Sequence, residues 1–183
     1  MAILRRVPDP DGVVDALAGA GVGVVEITLD ADDALEVIAR LRRRRDVSVI
    51  AGTVRRPEQV APAVEAGAEA CVSPGLVAEV VGRCRDLGVP VVPGALTPTE
   101  VERAWSLGAA LVKLFPGNAV GPGYVRELLA PLADVPLIVT GGIDAGNARA
   151  FLEAGAVAVG AGSALTGAAD VEAEARRLVA AVS

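Results

Sequence analysis

The chain has 183 residues, of which 52% are apolar, and it carries 17 basic and 23 acidic side chains for a formal net charge of −6. This composition is typical of one globular domain over residues 1–183, and it excludes a disordered tail, a disulfide scaffold and a collagen-like repeat. A sequence pI near 4.7 does not favour binding to nucleic acid or to an anionic membrane surface. The arginine run Arg42 to Arg45 follows a helical segment and is interpreted as a solvated helix end.

The N-terminal segment contains two arginines and two prolines but no apolar core long enough for a signal peptide, so we expect a cytoplasmic protein. The longest uncharged stretch, residues 154–169, is mostly alanine and glycine and is too short and too weakly apolar for a membrane span. The chain has no histidine, and Cys71 and Cys84 form no Cys-x-x-Cys pair. We therefore expect no metal centre and no histidine-based acid–base chemistry.

Short apolar runs alternate with longer segments of helical period. The predicted strands are Ala2 to Leu4, Val22 to Leu29, Val47 to Ala51, Ala70 to Val72, Val89 to Val92, Ala110 to Phe115, Leu137 to Val139 and Val157 to Gly160. Glycines end the helical segment before five of them: Gly21, Gly67, Gly88, Gly108 and Gly155.

Strands that are apolar on both faces and separated by helices predict a parallel sheet. Eight such strand–helix units predict a compact (β/α)8 barrel, also called a TIM barrel, of α/β class. A doubly wound open sheet is the main alternative. The first strand–helix turn lacks the Gly-x-Gly-x-x-Gly pattern that would support a dinucleotide-binding fold of that kind.

Lys113 is the single lysine of the chain, and the other sixteen basic residues are arginine. Strand alternation directs Lys113 to the same side as Leu111 and Phe115, which in a barrel is the inside, near the strand ends where barrel active sites lie. Burial there lowers the pKa of an amine and makes it a nucleophile that forms an imine with a ketone. A lysine that snorkels or pairs with a carboxylate is the structural alternative.

Glu26 is a carboxylate within another apolar strand, Val24-Val25-Glu26-Ile27-Thr28. Because burying an unpaired carboxylate is costly, we expect Glu26 to lie within reach of Lys113 on the inner face of the barrel. The two would form a base and a nucleophile whose pKa values are tuned by each other. A purely structural ion pair would look the same in the sequence.

Glycine-rich loops follow strands seven and eight, the positions at which many barrels bind phosphate through backbone N–H groups. We predict Gly141, Gly142, Gly162 and Ser163 as phosphate ligands. The alternative is that these glycines only make tight turns.

Six motifs occur in order along the chain: Val-Glu-Ile-Thr-Leu at 25–29, Ala-Gly-Thr-Val at 51–54, Ser-Pro-Gly at 73–75, Pro-Gly-Ala-Leu-Thr-Pro-Thr-Glu at 93–100, Val-Lys-Leu-Phe-Pro-Gly at 112–117 and Thr-Gly-Gly-Ile at 140–143. With these motifs the chain resembles the class I 2-keto-3-deoxy-6-phosphogluconate (KDPG)/4-hydroxy-2-oxoglutarate (KHG) aldolase family.

The resemblance implies a homotrimeric barrel without metal or cofactor that cleaves KDPG, 4-hydroxy-2-oxoglutarate or both to pyruvate and an aldehyde. That aldehyde is glyceraldehyde 3-phosphate or glyoxylate. Lys113 would form a Schiff base with the 2-keto carbon, and Glu26 would move protons. The binding residues it implies are Arg5 over the anionic substrate, Thr53 at the carboxylate or keto group, Pro93 and Phe115 as walls, and Thr140, Gly141, Gly142 and Ser163 at the phosphate.

Two features depart from the family pattern. Asp30 occupies a position where many members have an arginine for the substrate carboxylate, and an acid there would repel the substrate. The sequence also starts directly at strand one, without the helix that commonly closes the barrel floor. The functional alternatives are a non-catalytic barrel and a phosphosugar isomerase or epimerase that uses the same phosphate loops.

Overall fold

The computed structural model describes residues 1–183, in which short parallel strands alternate with helices. The strands are β1 (Ala2–Leu4), β2 (Val24–Thr28), β3 (Ser48–Gly52), β4 (Cys71–Val72), β5 (Val91–Val92), β6 (Gly94–Ala95), β7 (Val112–Leu114), β8 (Leu137–Thr140) and β9 (Ala158–Gly160). The helices are α1 (Pro10–Gly19), α2 (Ala34–Leu41), α3 (Val60–Ala66), α4 (Ala78–Asp86), α5 (Pro98–Ser106), α6 (Gly121–Leu129), α7 (Ala148–Glu153), α8 (Ser163–Thr166) and α9 (Val171–Val182). Short 3₁₀ turns occur at Pro57–Gln59 and Gly117–Ala119.

These strands form the predicted (β/α)8 barrel. β1 to β5 pair in order in one parallel sheet, and β6 to β9 pair in order in a second. The N–H of Ile3 donates to the Ala161 carbonyl at 2.8 Å, and the N–H of Ala161 donates to the Met1 carbonyl at 3.1 Å. These bonds join β1 to the end of β9.

The fifth strand of the barrel differs from the prediction. Instead of one run over residues 89–92, it consists of β5 and β6 with Pro93 between them. Proline has no N–H for the ladder, so the regular pairing is interrupted there. The N–H of Lys113 nevertheless donates to the Pro93 carbonyl at 2.9 Å, which keeps the fifth strand attached to β7.

The five glycines predicted to end helical segments are found at these turns. All five have φ between 66° and 111°, a left-handed conformation that a residue with a Cβ adopts at a cost. Gly67, for example, is the C-cap of α3, and its N–H donates to the Ala63 carbonyl. Each turn reverses the chain so that the next strand enters the barrel in the same direction.

Strand alternation divides the apolar residues between two layers. A cluster of 45 buried residues, which includes Val112 and Leu114, fills the space between the strands and the helices. A small cluster of Ile50, Val72, Val92 and Ile138, with Leu111 packed against it, fills the inside of the barrel. Lys113 points toward this inner side, as predicted, because its neighbours in the strand face outward.

The arginine run lies immediately after α2, as expected for a helix end. Arg42 is the C-cap and donates to the Glu65 carbonyl at 3.3 Å, while Arg44 forms ion pairs with Asp15 and Asp46. The longest helix, α9, has 12 residues, and none of the helices has the length and hydropathy of a membrane span.

The outer core predicts a clear contrast between two leucines. Leu114→Ala removes a fully buried side chain beside Lys113 and should lower the free energy of unfolding by about 2–5 kcal/mol. Leu35→Ala, at a position that is 39% exposed on α2, is the matched control and should cost less than about 1 kcal/mol. Chemical denaturation measures both, and equal losses would contradict this account of the core.

Candidate active site

A cavity of about 620 Å³ lies at the C-terminal ends of the strands. Nine of the eleven predicted site residues line it: Arg5, Thr53, Lys113, Phe115, Thr140, Gly141, Gly142, Gly162 and Ser163. The remaining lining residues are Ile3, Pro74, Ile143, Asp144, Ala164 and Thr166. Residues from opposite ends of the sequence therefore meet at one site, as the barrel topology predicts.

The centre of the site is a buried pair formed by Lys113 and Glu26. Lys113 Nζ lies 3.6 Å from Glu26 Oε2, and the exposed fractions of the two side chains are 7% and 1%. Neither carboxylate oxygen of Glu26 has a hydrogen-bond partner in the structure. The separation of the two groups is slightly longer than an ordinary hydrogen bond.

Burial shifts the pKa values of both groups toward their neutral forms. Desolvation lowers the pKa of Lys113, and although the Glu26 charge acts in the opposite direction, burial prevails. Desolvation likewise raises the pKa of Glu26, against the opposing charges of Lys113 and Arg5. A proton therefore moves between these two groups at a smaller free-energy cost than between an ordinary lysine and an ordinary glutamate.

Glu26 does not line the cavity but lies behind Lys113. Its side chain occupies the space in front of Gly52 on the neighbouring strand, where a Cβ would overlap the Glu26 carboxyl group. Glycine at the inward-facing end of β3 is thus what permits Glu26 to be buried in this position. Lys113 Nζ, by contrast, is at the cavity wall, so that a ligand reaches the amine first.

Arg5 and Thr53 form one side of the cavity. Arg5 Nη2 donates to Thr53 Oγ1 at 3.4 Å. Thr53 has φ of 57°, a left-handed conformation that is uncommon for a β-branched residue and is often found at functional sites. Arg5 extends from the end of β1, and its charge acts on the pKa of both Glu26 and Lys113.

Of the two residues expected to form walls, Phe115 lines the cavity and Pro93 does not. The Phe115 ring centroid lies 5.6 Å from Lys113 Nζ, close enough for a cation–π contact. Pro93 is buried within the interrupted fifth strand and contributes its carbonyl to the Lys113 N–H. Pro74, in the loop after β4, lines the cavity instead and lies against Gly94.

A further side of the cavity, next to the end of β1, is formed by the loops after β8 and β9. Thr140 is fully buried at the end of β8, and its hydroxyl has no hydrogen-bond partner in the structure. Gly141 and Gly142 follow with φ of 90° and 72°, and Gly162 and Ser163 come from the second loop. The five residues predicted as phosphate contacts thus meet at one end of the cavity, while their role stays a prediction.

Asp30 is outside the cavity lining and is paired with arginine. Arg6 Nε lies 3.6 Å from Asp30 Oδ2 and donates to the Asp30 carbonyl at 3.1 Å. Burial acts to raise the pKa of Asp30, but hydrogen bonding from Thr28 and the nearby Arg5 and Arg6 charges outweigh it and lower the pKa. The expected repulsion of a substrate is therefore offset by a neighbouring cation.

Three cavity residues with side chains of note were not predicted from the sequence: Ile3, Pro74 and Asp144. The signal for Pro74 was the Ser-Pro-Gly motif, and the signal for Ile3 was its position two residues before Arg5, which puts both side chains on the same face of the extended segment. Asp144 comes two residues after Gly142, and an acidic residue so close to the predicted phosphate loop could have been identified from the sequence.

No cluster of three or more Cys, Asp or Glu side chains suited to bind a metal is present.

The fold and the site together define a (β/α)8 barrel with a buried lysine–carboxylate pair beneath a cavity at the C-terminal ends of its strands. A family model for KDPG and KHG aldolase matches residues 3–182. The chain belongs to this family and is accordingly an aldolase, a lyase that acts on small-molecule keto acids.

Individual relatives agree with this assignment. The 2-dehydro-3-deoxy-phosphogluconate aldolase of Haemophilus influenzae is 39% identical over 76% of this chain and 67% of its own length. The 2-dehydro-3-deoxy-6-phosphogalactonate aldolase of Escherichia coli is 35% identical over 90% and 83%. A solved structure of a 4-hydroxy-2-oxoglutarate/2-dehydro-3-deoxyphosphogluconate aldolase from TTHB1 is similar with a TM-score of 0.89, 37% identity, and coverage of 100% of this chain and 94% of that one.

The close approach at Gly52 generates a prediction. Gly52→Ala should displace the Glu26 carboxyl group and lower kcat/KM about a hundredfold, because small misplacements of catalytic groups have effects of that size. Gly82→Ala in α4, where a Cβ meets nothing within 4 Å, is the matched control and should keep full activity. Steady-state kinetics on folded variants, checked by circular dichroism, measures this. Equal activity in the two variants would show that Gly52 does not position Glu26.

Proposed function

We propose that the protein is a class I aldolase that cleaves 2-keto-3-deoxy-6-phospho sugar acids, 4-hydroxy-2-oxoglutarate or both. The products are pyruvate and an aldehyde, glyceraldehyde 3-phosphate or glyoxylate. One observation carries the proposal: the single lysine of the chain is buried at the wall of the cavity, 3.6 Å from a buried carboxylate. Such an amine has the lowered pKa that imine formation requires.

The proposed reaction begins when the neutral Lys113 amine attacks the C2 carbonyl and forms a carbinolamine. Loss of water gives a protonated imine, and removal of the C4 hydroxyl proton then breaks the C3–C4 bond. The electron pair of that bond moves into the imine, which leaves an enamine of pyruvate on Lys113 and releases the aldehyde. Protonation of C3 and hydrolysis of the imine return the free lysine and pyruvate.

Glu26 is the proposed base and acid for these proton transfers. Its raised pKa and its unpartnered oxygens support this role, because a carboxyl group with a raised pKa takes up a proton more readily than an ordinary glutamate and can give it back. Since Glu26 lies behind Lys113, protons would pass through the lysine nitrogen or a water molecule. General acid–base catalysis of this kind contributes about 10²–10⁴ in rate.

The rest of the cavity supports a substrate that is anionic at its keto-acid end. Arg5 and Thr53 would bind the carboxylate, and the apolar face of Phe115 would pack against the pyruvate carbon chain. The far part of the substrate would contact Thr140, Gly141, Gly142, Gly162 and Ser163. An isomerase or epimerase would need no reactive amine, and no observation in the structure favours it or a non-catalytic barrel.

The resemblance also supports a homotrimer that acts without metal or cofactor, because the protonated imine is itself the electron sink. Cytoplasmic location is part of the same proposal. The two cysteines, Cys71 and Cys84, are free and buried, which agrees with a reducing compartment.

Trapping with pyruvate and borohydride tests the proposed imine. Reduced pyruvate should appear on a single internal peptide that contains Lys113, because no other lysine exists in the chain. Intact-mass spectrometry and peptide mapping measure it, with the N-terminal amine scored separately. Lys113→Arg should give no internal adduct and no cleavage, since a guanidinium does not form this imine. Absence of the Lys113 adduct in the unmodified protein would overturn the proposal.

The Glu26 charge predicts a shift in pH dependence. A nearby carboxylate raises the pKa of Lys113, so Glu26→Gln should lower that pKa further and extend pyruvate trapping to lower pH than in the wild type. The same variant should lose about 10²–10⁴ in kcat for cleavage because its proton carrier is absent.

The measurement is the fraction of protein trapped at equilibrium across a pH series. Glu102→Gln, an exposed position on α5, is the control and should keep the wild-type profile. A Glu26→Gln profile that stays unchanged or moves to higher pH would contradict the assigned electrostatic coupling.

A further inference from the structure

The loop after β8 carries backbone N–H groups that the protein itself does not use. Gly142 and Ile143 both line the cavity, and their N–H groups make no hydrogen bond within the protein. Ile143 is only 2% exposed. Because buried N–H groups without a partner are rare in folded proteins, we expect the Ile143 N–H to find its partner in the cavity.

The carbonyl groups of the same loop are held from outside the cavity. Asn147 Nδ2 donates to the Gly142 carbonyl at 2.7 Å, and Asn147 Oδ1 accepts from the Asp144 N–H at 3.1 Å. The donor and the acceptor of this one amide are thus both matched to loop backbone. The Gly141 carbonyl accepts from the backbone N–H of Asn118 at 3.0 Å. Neither asparagine lines the cavity.

The peptide bonds of the loop convert these contacts into a direction for the N–H groups. In a planar trans peptide the carbonyl of one residue and the N–H of the next point in opposite directions, and both peptides that flank Gly142 are trans. The Gly142 carbonyl is directed at Asn147, so the Ile143 N–H points away from Asn147. By the same geometry the Gly142 N–H points away from Asn118.

Helix stability does not account for the contacts of Asn147. Asn147 is the N-cap of α7, a position from which an asparagine side chain ordinarily accepts a hydrogen bond from the first turn of its own helix. The Asn147 side chain makes no such bond, whereas Asp170, the N-cap of α9, accepts from the Ala173 N–H at 2.9 Å. Asn147 instead spends both ends of its amide on the loop that lines the cavity.

We propose that Asn147 is a positioning residue for the aldolase reaction, which holds the Gly142 carbonyl so that the N–H groups of Gly142 and Ile143 donate to the phosphate of the substrate. A phosphate monoester supplies three strong acceptor oxygens, and hydrogen bonds to an ionised acceptor are the stronger ones. Glycine at position 142 makes this support necessary, because its backbone has more conformational freedom than that of any other residue. The inference rests on the proposed aldolase function and adds to it a residue that lies outside the cavity lining.

The reverse reaction provides a matched pair of substrates for the test. With saturating pyruvate, glyceraldehyde 3-phosphate and glyceraldehyde form the same carbon–carbon bond and differ only in the phosphate. The measured quantity is the ratio of kcat/KM for the phosphorylated aldehyde to kcat/KM for the free aldehyde. Asn147→Ala removes both side-chain hydrogen bonds, and the ratio should fall about tenfold, the effect of losing one hydrogen bond to a charged group.

Gln59→Ala is the matched control. Gln59 Oε1 accepts from the N–H groups of Arg55 at 2.8 Å and Arg56 at 3.0 Å, so Gln59 is also a half-buried amide that holds a loop by two backbone hydrogen bonds. It does not line the cavity, and the ratio should stay at the wild-type value. A purely structural role of Asn147 would lower both kcat/KM values together and leave their ratio unchanged. A fall of less than about threefold in Asn147→Ala relative to Gln59→Ala overturns the proposal.

Nuclear magnetic resonance of the wild-type protein tests the same orientation without a variant. The amide resonances of Gly142 and Ile143 should shift on titration with glycerol 3-phosphate and stay in place with glycerol, because only the first compound offers a phosphate acceptor. Unchanged resonances, or equal shifts with both compounds, would overturn the proposal even if Asn147→Ala did not fold.

Pyruvate trapping on Lys113 separates the two possible failures. If the wild-type protein and both variants trap pyruvate and the ratio does not fall in Asn147→Ala, the aldolase function stands and the role of Asn147 is wrong. If the wild-type protein traps no pyruvate on Lys113, the proposed function is wrong, and the role inferred from it falls as well.

Discussion

Lys113 and Glu26 are both removed from water, and this shared desolvation is the constraint on which the rest of the structure depends. Taking an ammonium or a carboxylate out of water costs several kcal/mol, and mutual attraction recovers that cost only with good geometry and further hydrogen bonds. Here the two groups are 3.6 Å apart and Glu26 has no hydrogen-bond partner. The pair is therefore poorly suited to stabilise the fold but well suited to exchange a proton.

The inside of the barrel is arranged in layers around this pair. Below it, Ile50, Val72, Val92 and Ile138 exclude water from the floor. Above it, the small residues of the loops after β8 and β9 line the cavity together with Arg5 and Phe115, and Lys113 lies at the cavity wall. Glycine at position 52 makes this arrangement possible, because any side chain there would occupy the volume that Glu26 needs. The apolar floor, the buried pair and the open cavity thus all depend on which residues of each strand point into the barrel.

Much of this could be predicted from the sequence because the period of a strand determines which side a residue faces. Alternation was sufficient to direct Lys113 inward and Val112 and Leu114 toward the helices. It does not show which residues form the cavity wall: Pro93 is expected there only from the family resemblance, whereas the structure buries Pro93 in the fifth strand and has Pro74 in the lining. Nor did it reveal that Glu26 lies behind Lys113, because depth along the barrel axis depends on strand stagger. The fifth strand is interrupted at Pro93 because proline has no N–H. The apolar run over residues 89–92 predicts one strand there and does not indicate this interruption.

The effect of a charged side chain at the mouth of the barrel depends on the oppositely charged side chains beside it as well as on its own residue type. Asp30 and Asp144 are both acids near the cavity, yet their surroundings differ. Asp30 lies outside the lining and has a cation beside it, because Arg6 Nε is 3.6 Å from its Oδ2. Asp144 lies in the lining and has no ion pair, and its Oδ1 accepts hydrogen bonds from the N–H groups of its own loop. The effect of an acid near the cavity on a bound anion therefore depends on whether the fold places a cation beside that acid.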